Sequence, residues 1–63
     1  MNKYIVYYWK NKWNSYEFHE DSDEIAIERY EKDHPRFKAN SFLSKFNPQT
    51  GKNDVIKRMS FNQ

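Results

Sequence analysis

Sixty-three residues with a net charge of +2 and no cysteine leave room for one small domain, 1–63, with a thin core. A disulfide framework is excluded, and the longest apolar run, Tyr4 to Trp9, is too short to span a bilayer or to read as an export signal. A chain that is 32% charged yet carries twelve rings (five Phe, five Tyr, two Trp) is too aromatic to be disordered, so the expectation is a folded cytoplasmic domain.

Taken in chain order, Lys3 to Lys10 is dense in β-branched and aromatic residues and reads as a strand. Both of its faces are apolar, with Tyr4, Val6 and Tyr8 on one side and Ile5, Tyr7 and Trp9 on the other. Asn11-Lys12 offers a two-residue turn in which Asn takes positive φ, and Trp13 to Phe18 forms the return strand. Asp21 or Ser22 then caps a helix over Asp23 to Asp33, with acids in its first turn. Ala26, Ile27, Tyr30 and His34 fall on one stripe, Ile25 lies off it, and Pro35 is expected to end the helix. Arg36 to Phe46 is a broken β pattern, because Phe37 and Ala39 are out of phase with Phe42, Ser44 and Phe46. A bulge near Asn40-Ser41 would reconcile them. Asn47 to Lys52, holding the only glycine, is a turn. Asp54 to Phe61 closes the chain as a strand with Val55, Met59 and Phe61 on one face and Ile56 and Arg58 on the other.

The expected architecture is therefore α+β: two hairpins in the order ββαββ, a four-stranded antiparallel sheet, and one helix packed on one face. One short helix covers one side of such a sheet, and eleven of the twelve rings lie outside it. Some of them must face away from the helix, and exposed apolar area of that kind marks an interaction surface. Tyr7, Trp9, Trp13 and Tyr16, with Lys10, Lys12 and Arg58, are the candidate partner-binding residues. Tyr and Trp are enriched at binding hot spots.

Charge is segregated along the chain. Between Glu17 and Asp33 eight acids meet only Arg29 and Lys32, whereas the remaining nine bases are accompanied by Asp54 alone. The expected picture is an acidic helix on a basic sheet. The carboxylates near His19 lack the glycine and spacing of a calcium loop and are explained by helix capping, so no metal or cofactor is expected. No nucleophile is placed beside a base with an orienting acid, no glycine-rich phosphate loop is present, and a non-enzymatic role follows.

The size, the hairpin-then-helix order and the string Asp21 to Pro35 (DSDEIAIERYEKDHP) loosely resemble the short accessory proteins of phages and mobile elements. That resemblance implies a factor that binds and modulates or inhibits one host protein in the host cytoplasm. It carries no functional residue onto a particular position. Two other readings fit the same residues. One is a single-stranded nucleic-acid module that stacks bases on the rings, although the element order and the absence of an RNP-like string depart from the RNA-recognition pattern. The other is a homodimer or larger homo-oligomer that buries the rings between copies.

Overall fold

The computed structural model describes residues 1–61. Strand β1 (Asn2–Trp9) pairs antiparallel with β2 (Trp13–Glu20) in continuous register from Asn2↔Glu20 to Trp9↔Trp13. The connection is Lys10-Asn11-Lys12, one residue longer than expected, with Asn11 at φ 68° and the Lys10 amide donating to the Lys12 carbonyl at 2.9 Å. An asparagine tolerates that left-handed backbone better than most residues.

Helix α1 (Asp23–Phe37) starts on Ser22, whose Oγ accepts from the Ile25 amide at 3.2 Å. It does not stop before Pro35. The proline sits inside the last turn, and the helix runs on to Phe37 before Lys38 terminates it at φ 52°. Proline there has no N–H for the Glu31 carbonyl one turn back and crowds it, a loss confined to one rung near the end of the helix. Tertiary packing holds that turn in place. Phe37 stacks on Tyr8 with centroids 4.5 Å apart and planes 4° from parallel, and His34 is buried between Tyr30 and Phe37. Phe37 is thus a helical residue, and Ala39 lies buried in the connection rather than in a strand.

Strands β3 (Ser41–Asn47) and β4 (Lys52–Met59) form the second hairpin around Gly51 at φ 71°, and the sheet order is β2-β1-β3-β4. Because β2 and β3 both run antiparallel to β1, they are parallel to each other, which requires the long helical crossover between them. The ββαββ, α+β architecture expected from the sequence is the one observed. The irregularity is elsewhere. Leu43 faces Lys57 and Ser44 faces Val55, so Ile56 on β4 is the unpaired bulge residue, and β3 has no strand before Ser41. The bulge also reassigns faces. Ile56 and Met59 pack against the core, Val55 and Arg58 lie on the opposite side, and Phe61 falls outside β4.

The core lies between the helix and one sheet face: Tyr4 and Val6 from β1, Phe18 from β2, Leu43 from β3, and Ala26 and Tyr30 from the helix. Tyr30 and the buried Ser41 share a hydroxyl–hydroxyl bond of 2.6 Å, which satisfies two polar groups that would otherwise be costly to bury. The N-terminal end of the helix is tied down by charge. The Tyr4 hydroxyl donates to Asp23 Oδ1 at 2.6 Å, and Lys45 Nζ approaches the same oxygen at 3.1 Å. The tyrosine bond and then the lysine hold the Asp23 carboxyl below its ordinary range, while burial, followed by the Asp23 bond, pushes the Tyr4 phenol up.

Two outcomes follow from this arrangement. Lys38 holds a left-handed backbone that glycine adopts without strain, so Lys38→Gly should raise the urea-derived unfolding free energy by about 0.5–1 kcal/mol. A depressed carboxyl pKa stabilises the fold above the unfolded value and ceases to do so as pH falls through the folded one. Asp23→Asn should therefore lower stability at neutral pH, and its deficit relative to the parent should shrink on acidification below 3.8, the ordinary aspartate value.

Candidate functional site

Strand register places Lys3, Ile5, Tyr7 and Trp9 of β1 on the face away from the helix. Beside them on that face stand Trp13 of β2, Phe42 of β3 and Arg58 of β4. At the hairpin end of the face the rings interlock. Tyr7 stacks on its cross-strand partner Phe42 at 4.9 Å, Trp13 meets Phe42 edge-on at 5.7 Å, and Trp9 meets Trp13 at 5.4 Å with planes 72° apart. The Arg58 guanidinium lies 6.0 Å from the Phe42 ring centre. Tyr7 and Phe42 are half-buried by their neighbours, but Trp9 remains 49% exposed and Trp13 56% exposed. Two large indoles left this open are the feature that a self-contained fold does not require.

Six of the seven candidate residues meet at this end. Tyr7, Trp9, Trp13 and Arg58 share the face, and Lys10 and Lys12 occupy the loop joining the two tryptophan-bearing strands. Tyr16 does not join them. It pairs with Val6 in register, points toward the helix, packs against the core and donates to Asp33 Oδ2 at 2.9 Å. Burial, reinforced by that bond, pushes its phenol up. Alternation along β2 already placed Tyr16 opposite Trp13, but the sequence left open which of the two sides the helix would take. Phe42, which touches Tyr7 and Trp13, was not among the candidates. Its place at the centre depends on β3 lying next to β1, which no local pattern reveals.

Ion pairs run between the acidic helix and the basic strands. Several bases cross that divide to pair with acids: Lys45 with Asp23, Lys57 with Glu31 at 3.8 Å, and Arg29 with Glu20 at 3.2 Å. What remains is a gradient along the strands. At the hairpin end are Lys10, Lys12 and Arg58 together with Arg36 and Lys38, brought there because Phe37 stacks on Tyr8 and the Trp9 amide bonds the Asn40 carbonyl at 3.1 Å. All five are exposed, and none has an ion-pair partner among the described residues. Asp33, toward the same end of the helix, accepts from the Tyr16 hydroxyl and keeps its negative charge, so the surplus at this end is positive but not unopposed.

Other features are less suggestive. A cavity of about 330 Å³ between Asn2, Lys45, Phe46, Pro48 and Asp54 lies at the opposite end of the sheet, and its lysine is already engaged by Asp23. Among the described residues, no group of three or more His, Asp or Glu is placed to hold a metal ion, and no helix is long and apolar enough to cross a membrane. Compared with known protein families, curated proteins and solved structures, the chain matches none.

The indole arrangement has a spectroscopic consequence. Two indoles in edge contact couple their far-UV transitions, so circular dichroism should show an exciton couplet. Trp9→Phe and Trp13→Phe should each abolish it while leaving the secondary-structure signal in place.

Proposed function

We propose that this chain is a non-enzymatic binding protein, an accessory factor that modulates a partner protein by docking it on the aromatic, basic end of the open sheet face. One observation supports the reading above the others: Trp9 and Trp13 sit together, about half exposed, on a face that the helix does not cover. Rings on a surface are held at a cost in water, and aromatic clusters of this kind supply most of the energy at protein interfaces. Their supports are rigid, since both tryptophans stand on paired strands rather than in loops. Little ordering entropy would therefore be lost on docking.

The test uses the whole chain and two variants, Trp9→Ala/Trp13→Ala and Ile25→Ala. Ile25 is an equally exposed apolar residue on the helix, 49% open, and serves as a control for nonspecific adhesion. Chemical cross-linking in the native cell, followed by mass spectrometry, should recover one dominant partner with the parent and with Ile25→Ala. The double tryptophan variant, shown to be folded by circular dichroism, should lose it. Equal recovery with all three would remove the face from consideration. A stable homodimer that dissociates on the double substitution would reassign the face to a second copy.

A further inference from the structure

We infer that the segment docked at this end is a short, linear, acidic stretch of the partner protein with an apolar residue at its centre. The inference rests on the open face being a docking surface, and it specifies what the surface would hold.

Charge complementarity is the first ground. Five exposed bases lie at the hairpin end without ion-pair partners among the described residues, Lys10, Lys12 and Arg58 on or beside the open face and Arg36 and Lys38 at the helix terminus behind it, although four other bases of this chain have found acids. An isolated surface ion pair contributes little, but several like charges around one apolar spot raise its potential and select the sign of what approaches. Size is the second. The ring cluster reaches from Trp13 on β2 to Arg58 on β4, which is about 15 Å at ordinary strand spacing, and it extends only two residues along β1. That is far below the roughly 800 Å² per partner of a standard interface between globular surfaces. It matches about four or five residues of extended peptide at ~3.3 Å each.

Ring geometry argues for carboxylates over a nucleic-acid strand. Base stacking needs free ring faces. Here Tyr7 and Phe42 lie on each other, Arg58 approaches Phe42, and the tryptophans meet edge to face with planes 72° apart, so the rings do not share one plane on which successive bases could stack. Farther along the open face Ser15, Glu17 and His19 of β2 stand beside Lys3 of β1, whose ammonium sits 4.8 Å from the Phe46 ring centre, so one base rather than a basic track is offered to phosphates.

The experiment pans a random linear peptide library against the whole chain and against Lys10→Glu/Lys12→Glu. Selected peptides are then titrated by tryptophan fluorescence. Both tryptophans of the chain lie in the proposed site, so the signal is local. Peptides combining Asp or Glu with a central apolar residue should be enriched. Their affinity should fall at least about tenfold in the charge-reversed variant and weaken as salt rises. Failure to select any peptide, selection without acidic excess, or affinity untouched by charge reversal would each overturn the inference. So would an oligothymidylate that binds more tightly than the best peptide at matched salt. Peptides that lack acids but lose binding in Trp9→Ala/Trp13→Ala would overturn the acidic specificity alone. Peptides indifferent to both substitutions would remove the docking surface beneath it as well.

Discussion

Everything in this molecule depends on a single helix being fastened to the sheet at both of its ends. At the first turn, Asp23 gathers the Tyr4 hydroxyl and the Lys45 ammonium onto one oxygen. At the last, Phe37 lies flat on Tyr8. Between the two clamps, Ala26 and Tyr30 close over Val6, Phe18 and Leu43. Among the described residues, no second layer sandwiches the sheet. Once the helix has chosen the Tyr4 side of β1, Ile5, Tyr7 and Trp9 are committed to the other side. The exposed rings are a consequence of topology as much as of composition.

The same geometry organises charge. The helix N-terminus, with Asp21, Asp23 and Glu24, lies near the start of β1, and its C-terminus, with Arg36 and Lys38, lies near the end. Each sign suits the helix end it occupies. The Lys10–Lys12 loop and Arg58 add to the positive end, while Lys45 and Lys57 are drawn inward to neutralise helix acids. A net value of +2 therefore describes a molecule with a marked long-axis polarity, and that polarity converges on the tryptophans.

Much of the architecture was legible in the residues. Strand-forming content from Lys3 to Phe18, a capped acidic helix start at Ser22, and the Asn47–Gly51 turn are local signals, and each lies where local chemistry demands. The errors occur where tertiary contacts override local preference. Pro35 is tolerated because Phe37 is wanted against Tyr8, and the bulge falls at Ile56 because that side chain is needed in the core. The site was half visible. Alternation separates Tyr7 and Trp9 from Tyr4, Val6 and Tyr8 on β1, and Trp13 from Tyr16 on β2, yet it does not say which sets the helix covers, and the candidate Tyr16 faces the helix. Phe42 reaches the site, and Arg36 and Lys38 the same end of the sheet on its helix side, only through long-range packing.

The bulge at Ile56 has one more consequence. A sheet presents two lateral rims, and stacking many copies rim to rim requires both to be straight. The β4 rim is kinked by its unpaired residue and studded with Lys52, Asp54, Lys57 and Arg58, whereas β2 runs in unbroken register with no lysine or arginine. Growth by strand addition can begin on one flank but meets a bulged, charged strand on the other, so the fold opposes open-ended polymerisation while leaving its helix-free face open.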